Sequence, residues 1–194
     1  MAEPKPFRPV KLICGILASS DAAFEAAEAR LADLGGEFDA RSERFPFEAT
    51  DYYQPEMGPG LRRSFVSFVQ LIDPTALSGI KLRTNGLEED VRKAFGGSGR
   101  LVNLDPGYLT PAALIMATAK DFSHRIPLGA GIYAHLELLF GKGGVRRLEW
   151  TYPDFRPSAY EPFFLEARRV YLRQLRERRP SSPPPSPGRA SEIP

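Results

Sequence analysis

Lys120, Asp121, His124 and Arg125 fall within six residues, KDFSHR, just ahead of an apolar stretch that reads as a strand. An imidazole moves protons near neutral pH, a carboxylate orients it or binds a metal, and two cations neutralise phosphate or carboxylate. His124 is therefore the expected proton-transfer group, Asp121 its orienter or a metal ligand, and Lys120 and Arg125 the anion holders. A hydrogen-bonded turn capped by Asp121 is the plain alternative. Asn103, Asp105 and Tyr108 lie in NLDPGYL, where Pro106-Gly107 has the signature of a type II turn that would expose Asp105 as a further catalytic or metal carboxylate. The stretch TDYYQPEMGPG adds Tyr52 and Tyr53, whose rings either stack on a sugar or base or close a satellite core beneath a long connection. Lys81, Arg83 and Asn85 stand at an expected helix break, where Lys81 and Asn85 are candidate anion contacts.

Asp105, Asp121, Glu137 and Asp154 supply hard oxygen ligands of the kind magnesium takes, but their spacing follows no metal-binding pattern. A divalent cation thus rests on residue type alone, and no cofactor is specified. With one cysteine, Cys14, and two histidines, His124 and His135, the chain can build neither a Cys/His zinc site nor a disulfide framework by itself. Cys14 sits inside the apolar run Val10 to Ala18 and belongs to the core.

The elements that must hold these residues can be read from periodicity. Val10 to Ala18 is a short, almost unbroken apolar run, the pattern of a buried central strand. Ser19, Ser20 and Asp21 offer N-caps to a helix with Phe24, Ala27, Leu31 and Leu34 on one face, ended by Gly35 and Gly36. Strands are expected over Glu37 to Phe47, Ser64 to Ile72 and Leu101 to Leu104. Between the last two, Asp73-Pro74 opens a helical period that Asn85-Gly86 interrupts, predicting two helices or one kinked helix. The order strand, helix, strand, strand, helix, strand is the ferredoxin-like α+β plan, an antiparallel sheet with both helices on one face. Further strands at Ile126 to Pro127, Ile132 to Phe140 and Val145 to Trp150, the last two joined by a Gly-Lys-Gly-Gly turn, extend it by a hairpin. Thr110-Pro111 resembles a helix start, while Leu114 to Ala119 fits helix or strand equally. A final helix from Pro162 sets Phe164, Ala167, Tyr171 and Leu175 against a row of arginines.

At 194 residues, 42% hydrophobic and 26% charged, the chain has the make-up of one ordinary domain, expected over 5–179, with a disordered Pro-rich tail over 180–194. A chain of this size buries roughly 70% of its unfolded surface and needs no metal or disulfide to fold. No stretch approaches the roughly 20 apolar residues of a membrane helix, and MAEPKPFRP lacks the apolar core of a secretory signal, so a cytoplasmic protein is expected. Net charge is only +2, and the basic excess is one compact helix end, Glu161 to Arg179, which suits a solvated terminus better than a nucleic-acid surface.

Several segments are distinctive together: FPFEATDYYQPEMG (Phe45 to Gly58), IKLRTN (Ile80 to Asn85), VNLDPGYL (Val102 to Leu109), ATAKDFSHRIPLGAGIYAHLEL (Ala117 to Leu138) and WTYPDF (Trp150 to Phe155). In order and over nearly the whole domain, they resemble a bacterial family catalogued as domain of unknown function 4416. Some of its members are labelled GTP-binding proteins. The resemblance implies no established activity or fold, and its pattern would put an acidic residue where His135 stands, which favours His124 over His135. A P-loop is missing: Gly96-Gly97-Ser98-Gly99 lies after a helix and before a strand, the reverse of the required context. Thr118-Ala119-Lys120-Asp121 resembles the guanine-reading motif of GTPases with its lysine one position late. The expectation is a domain that binds a small polar, anionic ligand such as a nucleotide or sugar phosphate, with acid/base chemistry. The competing class is a non-catalytic interaction module using the sheet or the arginine helix and tail.

Overall fold

The computed structural model describes residues 3–178. The Pro-rich tail expected at 180–194 therefore lies outside the described residues, as does Arg179 of the basic cluster. The chain folds as an α+β protein in which, among the described residues, nine strands form one antiparallel sheet, its main path running β2-β4-β1-β5-β6-β8-β7. In chain order the strands are β1 (Val10–Ala18), β2 (Phe38–Arg41), β3 (Phe45–Pro46), β4 (Arg62–Ile72), β5 (Val102–Leu109), β6 (Ala113–Thr118), β7 (Ile126–Gly129), β8 (Ile132–Gly141) and β9 (Gly144–Arg147). The helices are α1 (Asp21–Gly35), α2 (Gln54–Met57), α3 (Leu77–Ala94) and α4 (Glu161–Glu177). Among the described residues no helix is long and apolar enough to cross a membrane.

Strand parity divides the core. Leu12, Cys14, Ile16 and Ala18 of β1, Val66 and Phe68 of β4, and Val102 and Leu104 of β5 face one side, where α1 and α3 cover them through Phe24, Ala27, Leu31 and Val91. Ile13, Phe65 and Leu109 face the other side and pack with β6 and β8 beneath Phe163, Phe164 and Ala167 of α4. Polar residues of that second parity, Arg63, Asn103 and Asp105, are carried into the interior with them.

Several local expectations are corrected. The Glu37 to Phe47 strand is two short strands, β2 and β3, both paired with β4. α3 runs unbroken through Asn85-Gly86, since glycine in a helix interior costs only about 1 kcal/mol and the buried positions Leu77, Lys81, Thr84, Glu88 and Val91 keep one face docked. Pro106-Gly107 is no turn: both lie inside β5, opposite Cys14 and Ile13. The turn comes later, where Thr110 Oγ1 accepts the amides of Ala112 and Ala113, so Thr110-Pro111 starts no helix and Leu114 to Ala119 is strand β6 up to Thr118. The last hairpin strand stops at Arg147, short of Trp150.

Candidate functional site

β5 and β6 pair only over Gly107–Leu109 against Leu114–Met116. Gly107 is required there, because a Cβ would sit 2.4 Å from Met116 Sδ and 2.5 Å from the Ile115 carbonyl. Beyond that point the two strands part, and a cleft of about 360 Å³ opens between them. Parting leaves the edge of β5 without a strand partner, and α3 provides the substitute. Glu88 Oε1 accepts the Leu104 amide at 2.7 Å, and Lys81 Nζ donates to the Leu104 carbonyl at 2.7 Å. Two buried ionisable side chains thus complete a backbone ladder.

The floor of the cleft follows from register. Gly15 of β1 lies opposite Phe65 of β4 and Asp105 of β5, and Leu17 lies opposite Arg63 and Asn103. Because Gly15 has no side chain, the fully buried Arg63 crosses above it; a Cβ there would come within 3.1 Å of Nη1. Arg63 Nη1 donates to Asp105 Oδ2 at 2.7 Å, and Nη2 to Asp154 Oδ2 at 2.8 Å. Asn103 Nδ2 also donates to Asp105 Oδ2, while Lys81 Nζ lies 3.7 Å from Oδ1. Arg100 closes the same chain by donating to Asn103 Oδ1 and Glu56 Oε2.

The two carboxyls differ. Burial opposes ionisation of Asp105, but the adjacent Arg63, Lys81 and Asn103 outweigh it and hold the carboxyl below its usual range. For Asp154 burial dominates, is only partly offset by Arg63, and is reinforced by Asp105, so its affinity for a proton rises. Asp154 stands in a short 3-10 turn, Pro153–Phe155, that β8 anchors. Leu136 and Leu138 pair with Ile115 and Leu114, leaving Glu137 as the extra residue of a bulge. Its carbonyl accepts the Thr151 hydroxyl, and its Oε1 accepts the Tyr152 amide.

Of the residues singled out from sequence, Asp105, Asn103, Lys81, Asn85, Lys120, Tyr52 and Tyr53 line the cleft. Tyr53 follows the satellite-core reading, packing on Leu17, Phe47, Met57 and Leu61, while exposed Tyr52 lies under Lys120 Nζ, 4.2 Å from its ring centroid. His124, Asp121, Arg125 and Tyr108 do not line it. Tyr108 packs with Leu77, Ala117 and Ile132. Asp121 is exposed, and no hydrogen bond joins it to His124 among the described residues.

His124 instead belongs to an aromatic stack on β8, face to face with Trp150 at 5.1 Å, its Nε2 3.2 Å from His135 Nδ1. Arg125 Nε donates to the same Nδ1 at 3.3 Å, which makes that nitrogen the acceptor and puts the proton of His135 on Nε2. Nε2 faces Glu137 Oε2 at 2.9 Å but out of line for a hydrogen bond, so both buried atoms lack one. Burial raises the affinity of Glu137 for a proton, with His135 opposing. Arg125 reaches the cleft only through two of its lining residues, by donating to the Tyr152 hydroxyl and to the Lys120 carbonyl.

Sequence reasoning missed Arg63, the hub of the site. The signal was present: extending the third strand back from Ser64 puts Arg63 on the same face as Phe65. The four carboxylates proposed for magnesium are scattered, with only Asp105 and Asp154 sharing a partner. Among the described residues no group of three or more His, Cys, Asp or Glu side chains is arranged to hold a metal ion.

An antiparallel α+β domain with a charged cleft where two strands part is the class that fold and site define. A family model described as a domain of unknown function (DUF4416) matches residues 8–171, and the chain belongs to that family. Neither a curated protein nor a solved structure matches it.

Proposed function

We propose that the cleft between β5 and β6 binds a small polar ligand carrying an anionic group, and that Asp105 and Asp154 are its acid/base pair. The observation that carries this reading is the convergence of the two carboxyls on buried Arg63 at a solvent-open cleft, one with depressed and the other with raised proton affinity. Pairs pushed apart in this way divide into an ionised partner and a proton carrier. Asp154 then takes the proton-transfer role first expected of His124, Asp105 stays an ionised acceptor, and Lys120 at the mouth meets the anion. Lys120 is suited to that role because no carboxylate pairs with it among the described residues.

The order β2-β4-β1-β5, with α1 and α3 on one face, supports reading the first half as a ferredoxin-like unit to which β6–β9 and α4 are added. A cytoplasmic setting goes with a soluble small-molecule ligand. The interaction-module alternative has less behind it: Arg168 donates to the Pro111 carbonyl and Arg169 to Glu166, so these arginines are engaged within the fold.

The test is a thermal-shift screen against nucleotides, sugar phosphates and amino acids. A ligand at 100 times its dissociation constant adds about 2.7 kcal/mol of stability. A hit that weakens in Lys120→Ala and Asp154→Asn but persists in His124→Ala supports the cleft. A hit lost only in His124→Ala contradicts it.

A further inference from the structure

Resting on that reading of the cleft, we propose that its ligand is a single phosphorylated sugar, bound with vicinal hydroxyls against Asp105 and Asp154 and the phosphate outward at Lys120. The geometry separates acceptors from donors along the depth of the cleft. On the floor, Asp105 gives Oδ2 to Arg63 and Asn103, and Asp154 gives Oδ2 to Arg63. Each keeps its other oxygen clear of side-chain hydrogen bonds among the described residues, and such oxygens seek donors.

The donor they fit is neutral. Arg63 already bridges the two carboxylates, and Lys81 lies 3.7 Å from Asp105 Oδ1. Even with both carboxyls ionised, the two positive charges match the two negative ones, so an incoming ammonium gains no net attraction and meets Lys81 besides. A hydroxyl donates to a carboxylate without adding charge, and adjacent hydroxyls present two such donors together. The other cations of the lining are committed, Lys81 to the Leu104 carbonyl and Arg100 to Asn103 and Glu56. Lys120 alone among them is held only by an aromatic face, that of exposed Tyr52, and the ligand's anion belongs there.

Size narrows the class. At about 360 Å³ the cleft is near the lower end of the roughly 300–1,000 Å³ that ligand sites span. That holds one sugar ring with its phosphate, its C–H faces against Tyr53 and Tyr152.

The experiment is isothermal titration of the wild-type chain with ribose 5-phosphate, 2-deoxyribose 5-phosphate, AMP and inorganic phosphate. The proposal expects ribose 5-phosphate to bind best, with the 2-deoxy sugar weaker by about tenfold or more, as for a lost hydrogen bond to a charged group. Removing the hydroxyl from the ligand avoids any question of whether an Asp105 variant folds. In Lys120→Ala, affinity for ribose 5-phosphate should fall while the preference over the 2-deoxy sugar persists. Equal binding of the two sugars, or tighter binding of AMP, overturns the sugar assignment and leaves the cleft reading standing. If none of the four binds while an unphosphorylated or amino-acid ligand from the thermal screen does so through the cleft, the sugar phosphate is again excluded. Absence of every ligand from the cleft removes both.

Discussion

The cleft and the histidine cluster share Tyr152, which lines the one and stacks on His135 of the other, and they use ionisable groups in opposite ways. In the cleft, charges are compensated beneath the surface, Asp105 and Asp154 by Arg63, so that oxygens are left facing solvent. In the cluster, His124 is engaged by stacking on Trp150 and by His135, and His135 by Tyr152 and Arg125, while its Nε2 and Glu137 Oε2 are closed off in the interior. Proximity in sequence put functional residue types together at 120–125, but register across β4, β1 and β5 built the group with free valence. The lesson is that hydrogen-bonding capacity left open to a cleft, more than the density of ionisable residues, marks a site.

Breaking the cleft's compensation should have the largest effect. Arg63→Met leaves two partly buried carboxylates without their shared counter-ion and should cost about 3 kcal/mol in urea unfolding. A cost below 1 kcal/mol would mean that Arg63 does not hold the floor together. Glu88→Leu strips the Leu104 amide of its acceptor where β5 has no strand beside it, an expected loss of about 1–3 kcal/mol, with Glu88→Gln retaining most of the stability.

Asp105 in the cleft and Glu137 in the cluster should also respond to pH with opposite sign. Asp105 has a depressed folded-state pKa, so its contribution is present above the ordinary aspartate value and is lost as pH falls through the lower folded one. Glu137 has a raised one, so stability falls as pH climbs from the ordinary glutamate value through the folded one. Unfolding curves across this range should lose their acid-side slope in Asp105→Asn and their rising-pH slope in Glu137→Gln. Identical slopes in both variants and wild type would erase the distinction. The smallest effect is expected for ligand binding in His124→Ala, which titration should find within about twofold of wild type.

Much of this fold was legible from the chain. The buried run Val10 to Ala18 is β1, the Ser20 cap starts α1, and the Gly-Lys-Gly-Gly hairpin turn joins β8 to β9. What escaped were long-range decisions. Pro106-Gly107 carries the local chemistry of a turn, yet the close approach of Met116 and the ladder to β1 hold it extended. Asn85-Gly86 likewise yields to the docking of α3 on β5, through Lys81 and Glu88. The site was legible in part for the same reason. Asp105, Asn103 and Lys81 announced themselves by type, whereas Arg63 and Asp154 acquire meaning only when strand pairing brings residues 42 and 91 positions apart to one guanidinium.

Trp150, the single tryptophan, gives the most direct test of the claim that function resides in the cleft. Its indole Nε1 donates to the Leu136 carbonyl at 2.9 Å and its ring stacks on His124, so its resonance reports the histidine cluster alone. In an amide-correlation NMR titration with ribose 5-phosphate, the account predicts shifts at Asn103, Asp105, Thr118 and Lys120 while the Trp150 indole stays in place. Shifts centred on Trp150, Phe122 and His124 with Asn103 and Asp105 unmoved would contradict it.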